Sequence, residues 1–306
     1  MQRVLTTVTL LGLLAATAGA FAITEHLKLE KSPVYATKVS KVLSPVCNCP
    51  TREATVHIKL RHTGRVTVII VDAQGHKVAT IAPDVLERAR SPQHFAWDGQ
   101  TDAGGQAPDG VYYPWVQLPR RTFRFINKIV LDTKPPQVLS ATGLKPVLLA
   151  GPGRSVAIRY AFSEQAHALV YLGRRRIIVG RKSRTQAKIK WTGRLDHRPL
   201  PAGTYVLSIG ARDLAGNETP AAMRKSVTVV VRYVELTPQR ITVGSGGRIR
   251  VHVETAARRY EWRLGKRHGE RLETVLRLRA PTTPGTYRLV VGQPGQSATA
   301  VVRVHG

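Results

Sequence analysis

An all-β chain of tandem sandwiches behind one N-terminal helix is the fold class that three features of this sequence predict. The first is period-two alternation, as in Thr55-Val-His-Ile-Lys-Leu60, Arg65-Val-Thr-Val-Ile-Ile-Val71 at its start, Arg248-Ile-Arg-Val-His-Val253 and Val275-Leu-Arg-Leu-Arg279. Such alternation marks half-buried strands. The second is the turn chemistry between those runs: Asp72-Ala-Gln-Gly75, Asp102-Ala-Gly-Gly105, Asp213-Leu-Ala-Gly-Asn217 and Gly244-Ser-Gly-Gly247. Gly accepts positive φ, and Asn and Asp tolerate it, so these clusters reverse the chain. Beyond the N-terminal segment only Pro83 to Arg90 reads as helical, and it is short.

The third feature is an internal repeat. Trp97-Asp-Gly99 is followed by Pro108-Asp-Gly-Val-Tyr112, and Trp191-Thr-Gly193 by Pro201-Ala-Gly-Thr-Tyr205. A fainter copy has Trp262 and then Pro284-Gly-Thr-Tyr287. Gly110, Gly203 and Gly285 recur about every 90 residues, close to the ~100 of an immunoglobulin-like sandwich. Each Pro and Gly corner would deliver a strand whose Tyr faces inward, with a hydroxyl that needs a backbone partner. Trp97, Tyr112, Trp191, Tyr205 and Tyr287 are therefore expected in cores, and Gly110, Gly203 and Gly285 at turns.

The first residues read as an export or anchoring segment. Arg3 is the only charged side chain before Glu25. The run from Val4 to Ile23, as a helix at ~1.5 Å per residue, would span ~30 Å, one hydrocarbon thickness. A cleaved signal would use Ala18-Gly19-Ala20 or Ala20-Phe21-Ala22; a retained transmembrane anchor is favoured because the run exceeds the usual apolar core of a signal. Lys28, Lys31, Lys38 and Lys41 follow it, yet a short basic lead and a long following domain point to an exported C-terminus.

Five segments follow: an anchor or signal at 1–24, a charged tether at 25–38, and three domains at 39–134, 135–232 and 233–306. The proline pair in Asp132-Thr-Lys-Pro-Pro136 closes the first domain, and Arg232-Tyr-Val-Glu-Leu-Thr-Pro238 joins the other two with little slack.

The stretch from about Leu43 to Val116 resembles the FlgD-type Ig-like domain of flagellar hook-capping proteins, a module also carried by bacterial exported proteins. The matching motifs are Leu43-Ser-Pro45, Val66-Thr-Val-Ile-Ile-Val-Asp-Ala-Gln-Gly-His-Lys-Val78, Trp97-Asp-Gly-Gln-Thr-Asp-Ala-Gly104 and Pro108-Asp-Gly-Val-Tyr112. The two later domains resemble more generic bacterial Ig-like modules. Where the family often has an Asn-Gly-Asp-Gly turn, this chain has Val46-Cys-Asn-Cys49, and a membrane segment stands where hook-capping proteins have an assembly region. The resemblance implies a module rather than an activity.

Composition narrows the function. Lys and Arg number 47 against 19 Asp and Glu, a net charge of +28, while 42% of residues are hydrophobic. That is enough apolar content for buried cores and enough charge to gather polyanions. The basic runs are Arg174-Arg-Arg176, Arg181-Lys-Ser-Arg184, Arg258-Arg259 and Lys266-Arg-His268. The anionic-ligand patch is expected at Arg174, Arg175, Arg176, Arg181, Lys182 and Arg184, whereas the alternating Arg248, Arg250, Arg277 and Arg279 read as an ordinary solvated sheet face. Cys47 and Cys49 admit an intra-loop disulfide, a bond between chains, a metal pair completed by His57 or His62, or free thiols; the loop disulfide is preferred in an oxidising compartment. Asp98, Asp102 and Asp109 could suggest calcium, but their spacing fits turns better than an EF-hand. No Gly-x-Ser-x-Gly, His-Glu-x-x-His, P-loop or dinucleotide motif occurs.

No catalytic residue, metal or cofactor is therefore expected. The expected role is a non-enzymatic, membrane-tethered, exported spacer or binding stalk. Its expected partners are the membrane, anionic wall polymer or lipid headgroups, and another envelope protein. A scaffold or assembly factor for an envelope appendage is one alternative. An intracellular binder of polyanions is the other, although nucleic acid is disfavoured because no RRM, KH, zinc-finger or helix-turn-helix pattern occurs.

Overall fold

A computed structural model of the chain describes residues 2–29, 32–143 and 147–306, with side chains described for all of these except 2–8, 23–29 and 148. The described chain divides into two compact units, Met1–Thr133 and Lys134–Gly306. Apart from one helix, Gln2–Leu29, and two single-turn 3₁₀ segments, the regular structure is β.

The helix continues past residue 24, where the sequence placed its end. Its described apolar side chains, including Leu10, Leu11, Leu13, Leu14 and Phe21, are exposed. Among the described residues no helix is long and apolar enough to cross a membrane. The apolar run expected to do so, Val4 to Ile23, lies partly outside the described side chains.

In the first unit a three-stranded sheet has the order Val34–Val39, Ala54–Leu60, Pro92–Trp97. A larger sheet has the order Val42–Leu43, Ile129–Leu131, Gly110–Leu118, Gly64–Val71, Lys77–Glu87, with Arg121–Arg124 paired to Gly110–Leu118. Alternate residues from both sheets, among them Val56, Ile58, Leu60, Val68, Ile70 and Val116, form one core. This is the result of period-two patterning: one face of each strand loses its water and the other keeps it.

Two local readings of the sequence give way here. The segment expected as tether, 25–38, contains most of a paired strand: Val34 lies opposite Leu60 and Val39 opposite Val56, and both valines are buried. The first sandwich thus begins before residue 39. The helical reading of Pro83 to Arg90 also fails, because Lys77–Glu87 runs through it and pairs Val85 with Val66 and Glu87 with Gly64. Pairing with a buried neighbour overrides a weak local helix preference. Asp84, at φ 43, marks the irregularity beside Pro83.

The second unit holds two further cores. One is built around the long strand Val156–Leu172. Its first part pairs with Val138–Gly143 and Arg184–Trp191, and its second part with Arg175–Val179 and Gly203–Arg212. The other core lies between a three-stranded sheet (Val234–Thr237, Arg248–Thr255, Val275–Arg279) and a five-stranded one. The five-stranded order is Arg240–Gly244, Ala298–His305, Gly285–Val291, Tyr260–Leu264, Arg267–Arg271.

All three cores repeat one topological device. A short early strand runs parallel to the last strand: Val42–Leu43 beside Ile129–Leu131, Val147–Leu149 beside Lys225–Arg232, and Arg240–Gly244 beside Ala298–His305. That last strand pairs antiparallel with the strand bearing the repeated tyrosine. The fold is an all-β, immunoglobulin-like sandwich architecture.

Within the second unit the two cores are tied together. Tyr233 packs against both and donates its hydroxyl to the Leu200 carbonyl. Ala202 N–H donates to the Gly295 carbonyl at 2.9 Å, and Thr255 Oγ1 to the Tyr233 carbonyl at 2.9 Å. Gly151 meets Ala256 so closely that a Cβ on it would lie 2.0 Å from the alanine methyl. Val at position 151 should therefore force this joint apart and destabilise the second unit by about 1–3 kcal/mol, read as a lower urea midpoint.

Candidate functional site

The repeated aromatic motif is a backbone-holding device in each core. Tyr112 donates its hydroxyl to the Pro108 carbonyl at 2.6 Å, Tyr205 to the Pro201 carbonyl at 2.8 Å, and Tyr287 to the Thr283 carbonyl at 2.9 Å. Each bond spans four residues and ties the corner to the strand it opens. Trp97 Nε1 donates to the Gln100 carbonyl at 2.8 Å, and Trp191 Nε1 to the Arg194 carbonyl at 3.1 Å. The ring pairs Trp97–Tyr112 and Trp191–Tyr205 meet edge to face at 4.9 and 6.0 Å.

The copies are not equal. Tyr112 is buried, and burial raises the pKa of its phenol, whereas Tyr205 and Tyr287 lie half-buried against their cores. Trp97, Trp191 and Tyr112 thus lie inside their cores, and Tyr205 and Tyr287 pack against theirs from the half-buried rim. Their strands open nearer the solvated rim. Trp262, although buried, has an indole N–H without a hydrogen-bond partner, so the third copy lacks the tryptophan turn. Gly110, Gly203 and Gly285 open the tyrosine strands, and in each case the tyrosine ring lies close by.

The glycine two residues after Trp97 and after Trp191 has a separate role. Gly99 has φ +86, and a Cβ there would come within 2.4 Å of Gln106 Nε2. Gly193 likewise has positive φ, at 72°. These glycines let the chain turn back so that the indole reaches a carbonyl three residues on.

Cys47 and Cys49 form the intra-loop disulfide, with Cα atoms 5.3 Å apart. Thr51 Oγ1 lies 2.9 Å from Cys49 Sγ, and Ser44 N–H donates to the Thr51 carbonyl at 2.9 Å. The loop is thereby fastened to the start of the first sandwich. His57 is not at this loop: it lies opposite His94 across two strands, the rings 4.3 Å apart and edge to face. Partial burial, then His94 and Lys38, lowers its pKa from the usual 6.5.

The aspartates are spent on turns. Asp98 Oδ1 accepts from Gln100 N–H at 3.0 Å, and Asp109 Oδ1 from Thr133 N–H at 2.9 Å. Asp102 accepts from Thr80 N–H at 2.7 Å and pairs with Lys77 at 2.8 Å; the lysine contact, then the Thr80 N–H, lowers its pKa. Buried Asp213 accepts from the N–H groups of Gly216 and Asn217, and from the Asn217 side chain at 2.8 Å. Asp98 and Asp213 serve their own turns, whereas Asp102 and Asp109 tie theirs to Thr80 and Thr133 elsewhere in the first core.

The expected basic patch is divided. Arg174 follows the turn glycine Gly173. Arg175 is ion-paired with Asp196, and Arg176 with Glu218 at 2.9 Å. Arg181 and Lys182 occupy a bend, and Arg184 starts the strand Arg184–Trp191. All six are exposed, but two already have carboxylate partners. A different basic row emerges from register: Arg159 lies directly opposite Lys188, with Lys190 two residues along on the same exposed face.

A cleft of about 320 Å³ lies at the joint of the second and third cores, lined in part by Arg194, Tyr233, Arg259, Glu261 and Glu270. Glu261 and Glu270 are cross-strand partners. Acid–base work by two carboxylates needs one of them desolvated and protonated. Both are exposed here, and Glu270 pairs with Arg259 at 3.5 Å.

Residues 51–118 match the FlgD Ig-like domain family, which bears out the resemblance read from the sequence. No curated protein matches the chain. Among solved structures the chain is similar to the titin I-band fragment I67-I69, with 13% identity over 90% of this chain and 99% of that one, at TM-score 0.30. It is also similar to Sidekick-1 immunoglobulin domains 1-5, with 11% identity, 90% and 59% coverage, and TM-score 0.27. A third likeness is to the D0-D1 domain of Intimin, with 12% identity, 64% and 98% coverage, and TM-score 0.25.

The corner bonds set an order of stability effects. Removing the hydroxyl in Tyr112→Phe takes away a bond made by a buried ring and should cost about 1 kcal/mol; Tyr287→Phe removes one made by a half-buried ring and should cost less, about 0.5 kcal/mol. Denaturant titration of the two variants checks the order.

Proposed function

We propose that this protein is an exported, non-enzymatic chain of three Ig-like modules, held at the cell envelope by its N-terminal segment and acting as a spacer or binding stalk. The observation that carries the reading is the use made of the motif residues. In each core the tyrosine, and in two cores the tryptophan, is spent on holding backbone rather than on facing a ligand. In this reading the modules run over about 34–134, 135–232 and 233–306.

Export is supported by the Cys47–Cys49 disulfide, since such bonds persist in oxidising compartments. The same bond speaks against an intracellular polyanion binder. Anchoring is supported by the apolar run Val4 to Ile23. The excess of basic side chains favours an anionic partner over a neutral one.

A second reading, a scaffold for an envelope appendage, is favoured by one observation. The strand Lys77–Glu87 ends its sheet, and an unpaired edge is a template for strand addition.

Protease treatment of intact cells carrying a C-terminal tag tests the stalk reading. The tag should be digested, the N-terminal segment should remain on the membrane-fraction protein, and reduction should raise the intact mass by about two hydrogens, one per cysteine of a single bond. A fully protected tag would overturn the reading.

A further inference from the structure

Four arginines that alternate along the sequence meet in register in the third core. In the strands Arg248–Thr255 and Val275–Arg279, Arg248 lies directly opposite Arg279 and Arg250 directly opposite Arg277. All four are exposed on one sheet face. At ordinary strand geometry the array measures about 7 Å along the strands and about 5 Å across them. Arg267 joins its rim by donating to the Arg279 carbonyl at 2.7 Å.

The direct opposition of like charges gains the fold nothing. Like charges directly opposite in an antiparallel pair are destabilising. Neutralisation is slight: Glu273 lies 3.6 Å from Arg277, and Arg279 reaches the Gly246 carbonyl at 3.5 Å. Arginines on the edge strand Val275–Arg279 alone could be explained as guards against edge pairing. The strand Arg248–Thr255 meets Val234–Thr237 only from His252 to Thr255, so Arg248 and Arg250 also stand beside an open edge; edge protection does not, however, require the arginines of the two strands to stand directly opposite each other.

We infer that this face is a docking surface for a linear, base-free polyanion whose charges are backbone phosphates. Every position of the array is Arg, whose planar fork grips phosphate with two parallel bonds, where Lys offers only a point charge. The surrounding face limits the occupant. Its outward residues further along are His252, Glu254, Val275, Glu235 and Thr237, with no Trp, Tyr or Phe. Base stacking is left with His252 and the guanidinium planes and no large aromatic ring, which disfavours single-stranded nucleic acid. A flat anionic bilayer pressed on this face would also meet Glu235 and Glu254, which lie opposite each other. A narrow chain crosses the arginine end alone.

The inference deepens the stalk reading and rests on it for where such a polymer would be met. The chemistry is tested on purified full-length chain, so it fails or stands apart from localisation. The probe is inorganic polyphosphate of defined length. Binding should fall with salt at a log–log slope of roughly −3 for four contacts. The variant R248Q/R250Q/R277Q/R279Q should lose at least about tenfold in affinity and most of that slope. The variant R174Q/R181Q/K182Q/R184Q removes the same charge elsewhere and should lose far less. R248K/R250K/R277K/R279K should keep the slope and lose affinity, because the fork is gone.

The array variant should melt no lower than the parent, as it relieves like-charge pairs. Equal losses in the two glutamine variants would overturn the inference in favour of a diffuse field. A lower melting temperature in the array variant would make the arginines structural and overturn it too. So would array-dependent binding to phosphatidylglycerol vesicles with none to polyphosphate, which would assign the face to a bilayer, or array-dependent binding to oligonucleotide alone.

Discussion

The hydroxyl-to-carbonyl bond that closes each tyrosine corner is the constraint on which the sandwiches turn. Each corner brings the chain into a strand that has neighbours on both sides. In the first core Gly110–Leu118 lies between Ile129–Leu131 and Gly64–Val71. Fixing the first residues of that strand fixes the register of its partners, because a slip of one residue would turn every buried side chain to water. The bond itself is worth only about 1 kcal/mol net. Its leverage comes from position: the aliphatic faces contribute the stabilisation, and the corner decides which faces meet. No disulfide follows residue 49 to bridge the sheets of any core, so this division of labour is needed throughout.

The chain's few acids explain where its positive charge ends up. Asp72, Asp98 and Asp213 accept backbone N–H bonds within their own turns, and Asp102 and Asp109 fasten their turns to Thr80 and Thr133. Turn geometry claims short acceptors at those sites whatever the net charge. Glutamates then take individual arginines, as Glu218 takes Arg176. Little anionic charge is left for the sheet faces, and the faces become basic by default. The local fields are strongest where register, rather than sequence proximity, gathers cations. That is why the run Arg174 to Arg184, conspicuous in the sequence, is partly neutralised, while alternating arginines far less conspicuous there form a dense array.

Much of this architecture was readable before any coordinates. Alternation located the strands, and the spacing of Trp97, Tyr112, Trp191, Tyr205 and Tyr287 located the repeat, because both signals are local. Non-local pairing was hidden. Val34–Val39 lacks a clean apolar–polar alternation and shifts register between Tyr35 and Lys38, and it exists because Val34 and Val39 can bury against Leu60 and Val56. Lys77–Glu87 crosses a stretch with helical leanings because Gly64–Val71 offers it a ladder. The opposition of Arg248 and Arg279 depends on how the intervening Tyr260–Leu264 and Arg267–Arg271 hairpin returns the chain, which no period-two count can give.

The joint between the second and third cores bears on how charge on this chain can act. Tyr233 belongs to both cores, and Gly151 and Ala256 touch where neither could be larger. A joint of that kind resists hinge motion, since opening it unpacks an aromatic ring and breaks the Ala202 to Gly295 bond together. The Arg159–Lys188 row and the arginine array therefore belong to one compact unit, not to two freely tumbling modules. A polymer that engages one row pays little further orientational entropy to engage the other, provided its length spans the distance between them.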